Sequence, residues 1–156
     1  MSLSLAVFQQ FVLRQPFLQI AVAAMESLNP HFEDPWKLTA QPGGSTDSET
    51  FPMTLETKDP TNGSRVLVMV MTFGPGYVAI PNVFLPDEFK HRGAMITALG
   101  RMVEAAEEQD YKVVVCDLVS RYQRSLLRRG ALQLEVTDAV LLHAGMDFQP
   151  SNGPTP

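Results

Sequence analysis

The residues able to do chemistry crowd into two short stretches. The first is Pro86-Asp87-Glu88-Phe89-Lys90-His91-Arg92-Gly93-Ala94-Met95, which the hydropathy pattern places between a strand and a helix. A helix start leaves backbone N–H groups unpaired and carries partial positive charge, so it accepts a phosphate group readily. Gly93 lets the backbone approach such a group closely, Lys90 and Arg92 add charge, and His91 either contacts the same anion or faces solvent. A glycine with two basic residues also opens helices that bind nothing, so a plain helix start is the competing reading. The second stretch runs from Cys116 to Gln123. Asp117, near the end of a buried strand, is a candidate base, with capping or pairing to an arginine as its alternative role. Tyr122 is a candidate general acid or a core residue.

Other reactive side chains have bland explanations. Asp87 and Glu88 are further candidate bases, but carboxylates ahead of a helix are favourable there without any catalysis. Cys116 reads as a small core residue, because nothing near it in sequence would hold it as a thiolate. His31, His91 and His143 show no ligand spacing, so no metal site is expected. Arg121, Arg124, Arg128 and Arg129 form a basic stripe, either a solvated helix face or a docking surface for an acidic partner.

The elements that must position these groups follow from periodicity. Phe17, Ile20, Ala21, Ala24, Met25 and Leu28 mark one face of an amphipathic helix, and Leu5, Phe8, Phe11 and Val12 suggest another before it, separated at Pro16. The face of residues 17–28 packs on the core, or docks on a partner or a membrane surface. Residues 30–50, rich in proline, glycine and polar side chains, read as loop. Phe51, Met53 and Leu55 alternate as in a half-buried strand, Asp59 to Gly63 is turn chemistry, and Arg65 to Phe73 is an almost unbroken apolar run. Gly74-Pro75-Gly76 then turns the chain into Tyr77–Leu85, where Pro81 marks an edge, a bulge or a place where two strands splay. Met95, Leu99, Met102 and Ala106 predict a helix, and Lys112–Leu118 a buried strand reached by a crossover, hence parallel pairing. Ser120 with Gln123 predicts the cap of a further helix ending at Gly130. Leu132–Val136 and Ala139–His143 predict a closing hairpin, and residues from Phe148 on a disordered tail.

The bulk properties set bounds. One domain over residues 1–148, with 149–156 as tail, suits a chain of 156 residues, of which 45% are apolar and 19% charged. A net charge of −5 argues against nonspecific nucleic-acid binding. The single Cys116 excludes an intramolecular disulfide. The N-terminal apolar stretch is interrupted by Arg14 and several glutamines, so neither a signal peptide nor a membrane span is expected, and a reducing, cytoplasmic setting fits.

In order, these elements resemble the GNAT family of acetyl-CoA-dependent N-acyltransferases over residues 51–143. The resemblance implies a mixed α/β (α+β) fold, with a mostly antiparallel sheet whose central strand pair splays, flanked by helices. It implies that the turn Lys90-His91-Arg92-Gly93-Ala94-Met95 cradles the coenzyme A pyrophosphate. It also implies that the pantetheine arm lies beside the strand Val113–Leu118, and that acetyl-CoA is the co-substrate for an amine acceptor this sequence does not name. Gly93 matches the family pattern, Lys90 substitutes for a Gln or Arg, and Met95 replaces a small residue. Tyr122–Ala131 resembles the family's closing helix. Ser120, with Val119, stands where the family often has an Asn against the coenzyme. Leu126 aligns with the tyrosine that protonates the departing thiolate, and Tyr122 lies one turn earlier, displaced by about 6 Å. Two functions follow: an amine acyltransferase with Tyr122 as acid and Asp117 as base, or a GNAT-like domain that has lost its chemistry and serves as a binding or structural protein, such as a phage-encoded accessory or virion component.

Overall fold

The computed structural model describes residues 4–6, 16–32, 34–43, 50–83, 93–118, 120–135 and 138–150. Most of the first expected helix, and the stretch 84–92 that includes Lys90, His91 and Arg92, lie outside them.

Among the described residues, the chain runs through α1 (Gln19–Leu28), β1 (Thr39–Pro42), β2 (Phe51–Lys58), β3 (Arg65–Gly74) and β4 (Tyr77–Val83). It continues through α2 (Ala94–Glu108), β5 (Lys112–Val115), α3 (Ser120–Arg128), β6 (Leu132–Gln133) and β7 (Val140–Leu142). The seven strands form one sheet in the order β1-β2-β3-β4-β5-β7-β6. Every neighbouring pair is antiparallel except β4 and β5, which are parallel. The expected fold class is therefore the one observed: mixed α/β, mostly antiparallel, with one parallel crossover through α2.

Register explains how the core assembles. Leu55 pairs with Met69 and Met53 with Met71, Val78 with Phe73 and Val113, and Val115 with Ile80 and Val140. Cross-strand partners share a face, so these side chains form one apolar surface, and all of them are buried. They join one cluster with Ile20, Ala24, Met25 and Leu28 of α1 and Ala98, Leu99, Met102 and Ala106 of α2. This is the helical face read from the sequence. Phe17, in a 3₁₀ turn before α1, stacks on Tyr111 with ring centres 5.9 Å apart.

Three differences from the sequence reading matter. Thr39–Pro42, inside the expected loop, is an edge strand; only Ala40 of its four residues is buried, and an edge tolerates Pro42, so no hydrophobic alternation announced it. The fifth strand stops at Val115 rather than running to Leu118, because Asp117 adopts a positive φ of 55°. Phe148, Gln149 and Pro150, expected in the loose tail, are seated on the protein instead.

Two β-bulges break the ladders. Between β2 and β3 the register shifts at Leu55/Glu56, leaving Val68 as the extra residue. Between β3 and β4 it shifts so that Met71 faces both Ile80 and Pro81.

Candidate active site where two strands part

The parallel β4/β5 ladder pairs Tyr77–Ile80 with Lys112–Val115. Its last bond is donated by Cys116 N–H to the Ile80 carbonyl, at 3.2 Å. Beyond it the strands separate. β4 continues through Pro81, Asn82 and Val83 alongside β3, while the other chain swings away at Asp117 and is caught where Leu118 N–H donates to the Asp138 carbonyl, 3.1 Å. Gly76 and Ile80 are the residues that accept from the β5 side, so the N–H that Pro81 lacks falls on the β3 side, where the bulge at Ile80–Pro81 bends β4 at the point of parting. The sequence reading of Pro81 as a bulge or splay site meets both conditions at once.

One lip of this fork carries Cys116, Asp117 and Asp138. The Cys116 thiol is pushed above its ordinary pKa, first by burial and then by the negative charges of Asp117 and Asp138. A thiolate is therefore disfavoured, in keeping with a non-nucleophilic cysteine. Asp117, the candidate base, is exposed.

The crossover from β4 returns at α2. Gly93 is its N-cap, with φ of 64°, a left-handed conformation that glycine adopts without steric cost. Among the described residues no side chain caps this helix, and no acidic residue occupies its first turn. Its first bond, from Thr97 N–H to the Gly93 carbonyl, leaves the N–H groups of Ala94, Met95 and Ile96 without helical acceptors. Ala94 is buried and Met95 half-buried, so those side chains belong to the packing and only the backbone could meet a ligand.

Tyr122 packs half-buried against the core from the first turns of α3. Burial pushes its phenol up to about 12, and the positive charge of Arg129 works in the opposite direction. It is thus a protonated donor at neutral pH. Leu126, one turn on, is 1% exposed and part of the core. Ser120 begins α3; Gln123, its expected capping partner, donates to Gln133 at 2.9 Å.

The predicted site residues therefore fall into two groups. Asp117 belongs to the fork lip with Cys116 and Asp138. Tyr122 and Gly93 are linked through the tail: Arg129, whose charge reaches Tyr122, also donates to the Gln149 carbonyl at 2.7 Å, and the next residue, Pro150, lies against Gly93. No sequence signal pointed to Arg129 as the connecting residue, since it reads as one more basic side chain at a helix end. Two surface cavities lie elsewhere: a groove of about 620 Å³ between α1 and α2, lined by Glu26, Thr97, Arg101, Glu104 and Glu108, and one of about 340 Å³ beside Lys37, Thr39 and Glu56. Among the described residues, no three His, Cys, Asp or Glu side chains gather as metal ligands would, and no helix is long and apolar enough to cross a membrane.

No protein-family model matches the chain, and no curated protein matches it. A crystal structure of an Agrobacterium tumefaciens protein, provisionally named an acetyltransferase, is similar to it at 12% identity and a TM-score of 0.40, over 85% of this chain and 87% of that one. A likeness that faint carries no argument, and what is established for the chain is its mixed α/β sheet, forked between β4 and β5.

Proposed function

We propose that the chain is a GNAT-like acyltransferase domain that binds acetyl-CoA and transfers the acetyl group to an amine. The observation that carries this reading is the fork: a parallel pair that parts at Ile80/Cys116, joined through the chain to a helix whose first-turn N–H groups have no acceptor within the helix. A slot between two strands suits a long, narrow arm, and a bare helix start suits the diphosphate at its far end. In this reading the amides of Ala94–Ile96 hold pyrophosphate, with Lys90, His91 and Arg92 as further contacts and Ser120 beside the arm.

The chemistry then divides among few groups. The acceptor ammonium must lose a proton before its nitrogen attacks the thioester carbonyl, and exposed Asp117 at the lip is the base, directly or through water. As the tetrahedral intermediate collapses, the C–S bond breaks and the thiolate needs a proton or a hydrogen bond. Tyr122, held protonated by burial, donates a hydrogen bond to that sulfur as the acid of this reading, and the thiolate takes its proton from solvent.

A second reading, a domain of this fold without catalysis, is favoured by Leu126, which is sealed in the core where the family resemblance would put a tyrosine. Thermal unfolding with acetyl-CoA separates these from an unrelated fold. Ligand at about a hundred times its dissociation constant adds about 2.7 kcal/mol of stability. No shift at millimolar coenzyme would contradict the enzyme reading. A shift without acetyl transfer to a panel of amines would favour the second.

A further inference from the structure

We propose that residues 146–150 are a strap that closes over the start of α2, with Arg129 as its latch, so that the strap and an anionic ligand compete for the same place. This rests on the reading of the α2 start as the coenzyme's anion site.

The strap is built in steps. Past β7 the chain turns, with Met146 N–H donating to the His143 carbonyl, and Met146 settles against Gly130 at the end of α3. Asp147 N–H then donates to the Arg129 carbonyl at 2.9 Å. The Arg129 guanidinium reaches back, its Nη1 donating to the carbonyls of Asp147 (3.2 Å) and Gln149 (2.7 Å). The Asp147 carboxylate lies 3.9 Å from that nitrogen, and its Oδ1 accepts from Gln149 N–H at 2.9 Å. Arg129 is only 16% exposed, unusual for a guanidinium at a helix end.

From this latch the chain runs along α2 toward its N-terminus. A methyl group added at Gly100 would come within 2.8 Å of Phe148, and one at Gly93 within 2.5 Å of Pro150. Gly93 and Gly100 are seven residues apart, two turns on one face, so two glycines clear a channel in which the strap lies. The channel ends at Gly93, beside the first-turn N–H groups, and Pro150 stands there. Gly93 therefore has two reasons to lack a side chain: its positive φ and this contact.

The two parts of the strap are held differently. Met146 and Phe148 bury apolar surface against the body of the protein. Gln149 and Pro150 are exposed and depend on bonds to one arginine and one carboxylate. An outer segment held by a few exposed hydrogen bonds opens locally, without unfolding what lies beneath it. An anion approaching the helix start displaces Pro150, and closure of the strap lowers the apparent affinity in proportion to the open fraction.

Two variants of the full chain test this: Arg129→Gln, and a truncation after Phe148 that keeps the inner anchor. Coenzyme A and inorganic pyrophosphate are titrated into each by calorimetry. A strap open about one-tenth of the time predicts about tenfold tighter binding in both variants. In the unaltered chain, saturating coenzyme A should speed hydrogen exchange at the Gln149 amide, a change that a purely structural tail would not show. Equal affinities with unchanged exchange would overturn the strap and leave the coenzyme reading standing. Tighter pyrophosphate binding without coenzyme binding would support the strap and sink the coenzyme reading. No binding of either probe to any form would overturn both. Should either variant fail to fold, the exchange measurement on the unaltered chain decides alone.

Discussion

The two β-bulges sit on either side of β3 and are resolved in opposite ways. At Leu55/Glu56 the irregularity lies beside a buried carboxylate: Arg65 Nε and Nη2 reach Glu56 Oε2 at 2.8 and 2.7 Å, and Thr54 donates to the same oxygen at 3.0 Å. Glu56 is left 4% exposed. At Ile80/Pro81 no such cluster forms among the described residues. The ladder to β5 ends, Pro81 offers no donor, and the neighbouring chain turns away at Asp117. The difference teaches where a sheet spends its irregularities. A bulge sealed by charge-assisted hydrogen bonds serves stability, whereas one that coincides with parting strands leaves main chain available to something else.

The comparison breaks most visibly at high pH. The chain leaving the fork enters α3, where burial holds the Tyr122 phenol at about 12. Its folded pKa lies above the unfolded value of about 10, so its contribution is complete below pH 10 and is lost as pH rises through 12. Two pKa units correspond to roughly 3 kcal/mol. Urea unfolding of the unaltered chain should lose about 2–3 kcal/mol more than Tyr122→Phe across that window; equal losses would mean the phenol is not buried as described.

Opening the sealed bulge should cost nearly as much. Glu56→Ala removes the acceptor of two hydrogen bonds and one half of an ion pair, and because Arg65 is 59% exposed and stays hydrated, the expected loss is about 2 kcal/mol by denaturant unfolding. Pro81→Ala touches the open bulge, where no ladder bond toward β5 is broken. The loss there should stay within about 1 kcal/mol, mainly through a freer unfolded chain. A larger penalty at Pro81 than at Glu56 would reverse the comparison. The smallest effect is kinetic. With its thiol pushed up by burial, Asp117 and Asp138, Cys116 should react with a disulfide reagent at neutral pH more slowly than a free thiol, and faster as pH rises. Reaction as fast as an activated thiolate would mean the lip is electropositive.

Much of the fold was legible because it follows from periodicity. The α1 face from Ile20 to Leu28, the turn at Asp59–Gly63 and the apolar strands β3 and β5 each carry a strong local pattern, and the crossover through α2 required the parallel pair. Thr39–Pro42 was hidden because an edge strand needs neither alternation nor an unbroken set of donors. The site was legible in part. Pro81 and Gly93 announce themselves by what their backbones can and cannot do. The Arg129 latch and the seating of Phe148 and Pro150 depend on contacts about 20 to 60 residues apart in sequence, joining residues whose types suggest a helix end and a loose tail. Glu56 and Arg65 flank the Asp59–Gly63 turn, so their pairing had a sequence signal that charge counting alone does not reveal.

The most direct test of the fork as a ligand slot is an amide-resolved NMR titration with coenzyme A. The account predicts shifts at Ile80, Asn82 and Val83 of β4, at Cys116–Leu118 on the opposite lip, and at Ala94–Ile96 of α2. Millimolar coenzyme that leaves these amides unmoved, or that moves only those lining the groove between α1 and α2, would contradict it.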